Sequence, residues 1–159
     1  MKKTGQFCSK LLHPRYWFTW FGLAVLWLLV QLPYPLLIRL GATAGRLSRH
    51  FLKRRERITR RNIELCFPHI NEDEKEVMIA GNFESLGMAL AETGIAWFWS
   101  DARVRQLFQV HGIANLQLAQ SQQRGVMVIG VHFMSLELGG RISGLCQPMM
   151  AMYRPHNNQ

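Results

Sequence analysis

The hydrophobic pattern of the chain opens with one long apolar stretch. Residues 16–38 form a run of 23 residues without a charged side chain, rich in leucine, tryptophan and phenylalanine. A helix of that length rises about 1.5 Å per residue and matches a bilayer hydrocarbon core of roughly 30 Å. Pro33 and Pro35 interrupt the helical pattern near residue 32, because proline cannot donate a backbone hydrogen bond inside a helix. Two interpretations stay open, a helix that spans the membrane and a monotopic helix that dips into one leaflet.

Helical spacing continues through the middle of the chain. One helix is predicted from about Ala42 to Leu65, and Asn71 with Glu74 three residues later predicts a capping box that starts another. The aromatic run 97–99 is interpreted as core, with contact to lipid as the alternative. The apolar residues after the cap recur at helical spacing and predict a buried face: Ile79, Phe83, Leu86, Leu90 and Trp97.

Short apolar runs between turn signals predict strands in the last third of the chain. They are expected at 108–111, 125–131 and 149–153, with a helix over 113–123. Strands that alternate with helices form parallel βαβ units. The fold class expected is therefore α/β, an N-terminal membrane helix followed by helices and a partial parallel sheet. The sheet would be incomplete, because three parallel strands leave an exposed edge and an uncovered face.

The net charge of +9 is concentrated in the first part of the chain. Residues 1–61 carry 13 Lys and Arg against one acidic residue, whereas the remainder is slightly acidic. The basic run 53–61 stands beside the apolar stretch. This position favours contact with anionic lipid headgroups over a merely solvated helix face and over nucleic acid. The excess of cations after the stretch predicts that the following part of the chain faces the cytoplasm.

One stretch combines groups capable of chemistry, with His132 and Glu137 spaced as H-x4-E. His132 falls where the strand 125–131 should end, and Ser135 can cap a following helix whose first turn holds Glu137. The carboxylate has apolar neighbours and so needs a partner; it can fix the tautomer of the imidazole and stabilise its protonated form. This arrangement suggests base-assisted attack of a hydroxyl on an acyl carbonyl. The simpler alternative is a strand-end histidine bonded to backbone and a surface glutamate.

Residues 130–141, Gly-Val-His-Phe-Met-Ser-Leu-Glu-Leu-Gly-Gly-Arg, resemble the active-site block of the bacterial lipid A late acyltransferases, in the lysophospholipid acyltransferase superfamily. Residues 131–135 and 144–159 are more similar to the palmitoleoyl-transferring members than to the lauroyl-transferring ones. The resemblance runs almost the whole chain and includes the stretches 12–17, 30–35, 62–68, 92–99 and 153–155.

The resemblance implies transfer of a fatty acyl group, palmitoleoyl being the expected one, from acyl carrier protein to a hydroxyacyl chain of the Kdo-bearing lipid A precursor. His132 would remove the proton from the acceptor hydroxyl, Glu137 would hold the imidazole, and Arg154 would help to bind an anionic group of the acceptor. Anionic membrane lipids are further expected partners, and nucleic acid is not one. The expected location is the inner membrane, with the catalytic part facing the cytoplasm. No metal or other cofactor is expected, and three cysteines show neither metal-ligand spacing nor a disulfide framework: Cys8, Cys66 and Cys146.

Four regions follow from this interpretation. They are a basic tail (1–15), a membrane helix (16–38), a helical region (39–104) and an incomplete α/β core of the lysophospholipid acyltransferase type with the H-x4-E motif (105–159). Because family members continue for about as long again, the sequence is interpreted as an N-terminal half, and most of the pocket that measures acyl length is expected outside it. Two alternatives remain, a non-catalytic membrane-anchored fragment and a phospholipid-directed acyltransferase that uses the same His/Glu pair.

Overall fold

The chain is built of helices joined by short turns. A computed structural model describes residues 9–122, 125–131 and 133–150. In that part of the chain, two short 3-10 helices (Ser9–Leu12 and Pro14–Tyr16) precede the α-helices. Helix α4 is the longest of them, at 27 residues, and α1, α2, α3 and α7 all pack against it. The α-helices are α1 (Trp17–Leu29), α2 (Tyr34–Ser48), α3 (Lys53–Cys66), α4 (Glu72–Phe98), α5 (Asp101–Arg105), α6 (Ile113–Ser121) and α7 (Leu136–Cys146).

The predicted α/β fold is wrong, because the described residues contain no strand. The runs expected as strands at 108–111 and 125–131 have no regular secondary structure. The second run is also open to solvent, with Met127 87% and Ile129 85% exposed. A strand needs neighbouring strands for its backbone hydrogen bonds, and an apolar pattern within one run does not supply them. The third expected strand, 149–153, lies mostly outside the described residues.

The segment 16–38, expected as a membrane helix, is two helices, and the break lies near residue 32 as its prolines predicted. Helix α1 ends at Leu29, a turn follows, and α2 begins at Tyr34 with Pro33 as its N-cap residue and Pro35 in its first turn. The prolines explain the break, since neither can donate the hydrogen bond that a continuous helix requires. None of the helices in the described ranges is both long and apolar enough to cross a bilayer.

Helices α2 and α4 pack with their backbones in direct contact. Gly41 and Gly45 of α2 face Gly87 of α4, and a β-carbon at Gly41 would lie 2.8 Å from the Gly87 carbonyl oxygen. A β-carbon at Gly45 or at Gly87 would overlap the backbone of the facing helix. Small residues at a helix interface allow this close approach, so these three glycines set the distance between the two helices.

The larger core lies at the C-terminal half of α4, where α1, α2, α5 and α7 meet. The indole N–H of Trp99 donates a buried hydrogen bond to the Val30 carbonyl oxygen at 2.7 Å. Arg103 stacks on the same indole, with its guanidinium carbon 3.5 Å from the ring centroid. Trp99 therefore ties the end of α1 to the end of α4. The buried side chains of this core are Val30, Leu37, Ala91, Ile95, Trp99, Val104 and Leu138.

The predicted capping box at the start of α4 is confirmed. The Asn71 side chain accepts a hydrogen bond from the Glu74 N–H, and the Glu74 carboxylate accepts one from the Asn71 N–H, each at 2.9 Å. Two backbone donors that a helix start leaves without partners are thereby satisfied.

The buried face of α4 agrees with the prediction at its beginning and departs from it later. Ile79 and Phe83 are buried as predicted, whereas Leu90 and Trp97 are exposed. The buried face instead follows every fourth residue through Gly87 to Ile95. Such a row of residues four apart forms a packing ridge on a helix, and α2 lies along it.

The helix predicted over 42–65 is two helices. Helix α2 ends at Ser48, whose hydroxyl donates to the Gly45 carbonyl oxygen at 2.6 Å, and α3 begins at Lys53. The turn between them lets α3 fold back along α4. A second, smaller core forms there from Ile63, Ile79 and Phe83, with Ile70 packed against it.

An ion-pair network holds this turn. Arg49 pairs with Glu56 at 2.8 Å and with Glu76 at 2.5 Å, and Arg60 also pairs with Glu76. Hydrogen bonds from Arg49 and Arg60 lower the pKa of the Glu76 carboxyl below its ordinary value. The network connects the turn after α2 with α3 and with the N-terminal part of α4, which fixes how α3 returns.

Replacing Gly87 by alanine should destabilise the chain by about 1–3 kcal/mol or more, because the new β-carbon must push α2 away from α4. Gly81→Ala is the matched control, since Gly81 lies on the same helix with open space around it. Alanine there should stabilise the chain by up to about 1 kcal/mol. Denaturant unfolding followed by circular dichroism measures both variants, and equal effects would contradict the backbone contact.

Glu76→Gln should remove a pH-dependent part of the stability. The folded state lowers the pKa of Glu76, so its stabilisation is present above about pH 4.3 and fades as the pH falls through the lower, folded-state value. The variant should be less stable than the unsubstituted chain at neutral pH, and the gap should narrow in acid. Denaturant midpoints measured across this range test the prediction. A gap that stays constant with pH would mean that the ionised carboxylate contributes nothing.

Candidate functional site

A groove of about 580 Å³ is lined by α3, α4 and Met134, a residue in the turn before α7. Its walls combine cationic side chains at the start of α3 with apolar side chains. This mixture suits an amphiphile that carries an anionic group and a hydrocarbon chain. The cations are Lys53, Arg54 and Arg55, and the apolar residues are Phe51, Leu52, Ile58, Phe83, Leu86 and Met134.

Two of these three cations carry no counterion within the described chain. Lys53 pairs with Glu56 at 3.3 Å. Arg54 and Arg55 are exposed and form no ion pair or hydrogen bond with any residue that the structure describes. The groove therefore offers two free guanidinium groups, which bind phosphate and carboxylate groups in bidentate geometry.

The predicted helix after Ser135 is confirmed, and Glu137 lies in the first turn of α7. Ser135 occupies the N-cap position, but its side chain makes no capping hydrogen bond. The backbone N–H groups of a first turn have no intrahelical acceptor, and the helix dipole places partial positive charge there. Met134 lines the groove directly before this turn.

The Glu137 side chain is exposed, contrary to the expectation that apolar neighbours surround it. Phe133 and Leu136 beside it are exposed as well, and Glu137 forms no hydrogen bond or ion pair with a described residue. The desolvation argument for a partner does not apply to an exposed carboxylate. His132 and Arg154 lie outside the described residues, so their roles and the role of Glu137 stay predictions.

Arg141, one helical turn after Glu137, anchors α7 to the end of α4. Carbonyl groups at a helix end need donors from outside the helix, and this one side chain donates to three carbonyl groups at the end of α4. Sequence reasoning missed this role; the available signal was that Arg141 is the only cation of α7. Its guanidinium donates to four oxygens at 2.6–3.2 Å, the carbonyl oxygens of Ile95, Ala96 and Trp99 and the carboxylate of Asp101.

Comparison of the sequence with known protein families identifies the family of the chain. The family described as bacterial lipid A biosynthesis acyltransferase matches residues 4–159, nearly the whole chain. The chain belongs to the bacterial lipid A biosynthesis acyltransferase family. The family predicted from the sequence is therefore confirmed.

Three curated relatives of this lipid A acyltransferase chain come from Escherichia coli (strain K12). The lipid A biosynthesis palmitoleoyltransferase is 68% identical over 154 residues, which cover 97% of this chain and 50% of the relative. The lauroyltransferase is 49% identical over 158 residues, covering 99% and 52%. The myristoyltransferase is 26% identical over 158 residues, covering 96% and 48%. The chain thus spans about half the length of the curated relatives it matches, and no solved structure matches it significantly.

Arg141→Ala should destabilise the lipid A acyltransferase chain by about 2–4 kcal/mol, because several carbonyl groups lose a charged donor at once. Arg105→Ala is the matched control. It removes a single exposed hydrogen bond, from Arg105 to the Leu145 carbonyl oxygen, and should cost about 1 kcal/mol or less. Denaturant unfolding compares the two, and similar losses would show that Arg141 is not the anchor of α7.

Proposed function

We propose that the protein transfers a palmitoleoyl group from acyl carrier protein to a hydroxyacyl chain of the Kdo-bearing lipid A precursor, in lipopolysaccharide biosynthesis. The observation that carries this proposal is the 68% identity to a relative named lipid A biosynthesis palmitoleoyltransferase. The identity to the relative named lauroyltransferase is lower, at 49%, which favours palmitoleoyl as the donor group. The family match over residues 4–159 supports acyl transfer in lipid A biosynthesis.

The groove suits the acceptor of this reaction. Arg54 and Arg55 lack counterions in the described chain and are available for phosphate or sugar-acid groups. Leu52, Ile58 and Leu86 offer an apolar wall for an acyl chain. Arg154, which lies outside the described residues, is proposed to bind an anionic group of the acceptor because its stretch resembles the acceptor-binding block of the family.

The chemistry is base-assisted attack on a thioester. His132 takes the proton of the acceptor hydroxyl while the hydroxyl oxygen bonds to the thioester carbonyl carbon. The carbon–sulfur bond then breaks, and the proton passes from the imidazolium to the departing thiolate, so that an ester and the free thiol of the carrier protein result. Glu137 orients the imidazole and offsets its positive charge. The thioester already carries the activated acyl group, so the scheme contains no metal or nucleotide step.

The proposed location is the inner membrane, with the catalytic part facing the cytoplasm. Helix α1 carries no charged residue and exposes a wide apolar surface, including Phe18, which is 90% exposed. A monotopic position of α1 in one leaflet buries that surface without a span. The cations that follow α1, from Arg39 to Arg57, favour the cytoplasmic side.

An acyl-transfer assay tests the proposed function with the protein as its gene encodes it. Membranes that contain the protein receive the Kdo-bearing precursor and equal amounts of palmitoleoyl, lauroyl and myristoyl thioesters of acyl carrier protein. Mass spectrometry of the products should find mainly the palmitoleoyl ester. His132→Ala should lower the rate by about 10²–10⁴-fold without changing membrane binding.

His111→Ala is the control for this assay, because His111 is an exposed histidine that does not line the groove. Its rate should equal that of the unsubstituted protein. A mainly lauroyl product would overturn the palmitoleoyl assignment. Acylation of lysophosphatidate in place of the precursor would indicate a phospholipid-directed enzyme, and full activity of His132→Ala would remove the histidine from the mechanism.

A further inference from the structure

Helix α2 presents an apolar surface that no described residue covers. Four exposed side chains form it, and we name them the α2 stripe: Leu36, Leu40, Leu47 and, in the turn after the helix, Phe51. Within α2, spacings of four and seven residues place Leu36, Leu40 and Leu47 on one side of the helix, and Phe51 follows in the turn. Phe51 is 84% exposed, which is unusual for an aromatic residue in the absence of a partner.

The opposite side of α2 prevents the stripe from turning inward. Leu37 is buried in the larger core, and Gly41 and Gly45 touch the backbone of α4. Rotation of α2 would replace these glycines with larger side chains at a contact that has no room for a β-carbon. The exposure of the α2 stripe is therefore imposed by the packing of α2 on α4.

The polar groups beside the stripe suit an apolar environment with charges at its edge. Arg39 and Arg46 lie on one flank of the stripe, where long side chains can reach headgroups while their stems remain among acyl chains. Arg46 also pairs with Glu84 at 2.7 Å. The Thr43 hydroxyl donates to the Arg39 carbonyl oxygen of its own helix at 2.8 Å, so it needs no water. A helix with this composition is typical of one that lies in the plane of a membrane surface.

The surrounding charges identify the partner as an anionic lipid leaflet. Arg39, Arg54 and Arg55 are exposed next to the stripe and have no counterion among the described residues. A second copy of the chain would bring these cations against one another, which is unfavourable. An acidic soluble protein would meet the cations but leave the four apolar side chains without cover. An anionic lipid leaflet matches both the cations and the apolar side chains, because its phosphates can pair with the cations and its acyl chains can cover the α2 stripe.

The groove opens at one end of this surface, since Phe51 belongs to the α2 stripe and also lines the groove. We propose that α2 lies in the plane of an anionic leaflet with the α2 stripe among the acyl chains, and that a lipid acceptor enters the groove sideways at Phe51. The contact with the leaflet is independent of the proposed function. Lateral entry of the acceptor rests on the proposed function.

Vesicle binding tests the leaflet contact without donor or acceptor. The triple variant Leu40→Ser/Leu47→Ser/Phe51→Ser should bind phosphatidylglycerol-containing vesicles about tenfold more weakly or worse, because three large apolar side chains are lost from the contact. The control Val77→Ser/Val110→Ser/Leu118→Ser alters three exposed side chains away from α2 and should bind as the unsubstituted protein does. Circular dichroism checks that both variants keep their helices. Equal binding of the two triple variants would overturn the proposal.

A fluorescent probe distinguishes membrane contact by α2 from membrane contact by α1, which also exposes apolar surface. In a protein whose native cysteines are serine, an environment-sensitive dye is attached to Leu47→Cys or to Val77→Cys. On anionic vesicles the dye at position 47 should shift its emission to shorter wavelength and be quenched by spin-labelled lipid, whereas the dye at position 77 should not. Dyes that behave alike would overturn the proposal, as would a concentration-dependent shift at position 47 without vesicles, which would indicate contact between copies.

Lateral entry has its own measurement. With acceptor embedded in vesicles, the double variant Leu40→Ser/Leu47→Ser, which keeps the groove residue Phe51, should show a raised KM. With acceptor dispersed in detergent, its kcat should equal that of the unsubstituted protein. An unchanged KM on vesicles would overturn lateral entry and leave the leaflet contact intact. Absence of acyl transfer by the unsubstituted protein would overturn the proposed function together with lateral entry. The vesicle and dye experiments would still test the leaflet contact, because they need neither donor nor acceptor.

Discussion

The close approach of two helix backbones is the constraint on which the rest of the fold depends. At Gly41, Gly45 and Gly87 the helices α2 and α4 touch without side chains between them, so neither helix can rotate about its axis. This contact determines which residues of α2 face inward and which face outward. Helices α1 and α3 then join the pair from its two ends, α1 through the Trp99 hydrogen bond to Val30 and α3 through the ion pairs of Arg49.

The same packing divides a basic sequence into cations that stabilise the protein and cations that remain available to ligands. Arg49 and Arg60 are used inside the protein, where Glu56 and Glu76 neutralise them. Arg54 and Arg55 are exposed and have no counterion in the described ranges. Net charge alone predicted an affinity for anions, but only the fold indicates that the free cations border a groove with apolar walls.

The parts of the structure that local sequence determines were predictable. The capping box of Asn71 and Glu74 and the start of α7 at Leu136 depend on residues within one turn of each other, and both agree with the sequence. The family also followed from short blocks of sequence, such as residues 130–141.

The parts that depend on distant partners were not predictable in the same way. A strand at 125–131 requires other strands beside it, and the described chain supplies none. The environment of Glu137 depends on what packs over it rather than on its apolar neighbours in sequence, and it is exposed. The role of Arg141 could not be predicted locally, because its hydrogen-bond acceptors lie at the end of α4, more than forty residues earlier in the chain.

One side of α2 packs on α4 and the other carries the α2 stripe. Both roles restrict insertions and deletions in this helix. Each residue of an α-helix turns the chain by about 100°, so inserting or deleting a single residue between Leu37 and Leu47 would move the glycines off the α4 contact or the leucines off the outer face. Substitutions that keep residue size can accumulate in this segment, but changes of length cannot. Alignments of homologous genes should therefore be free of gaps across α2.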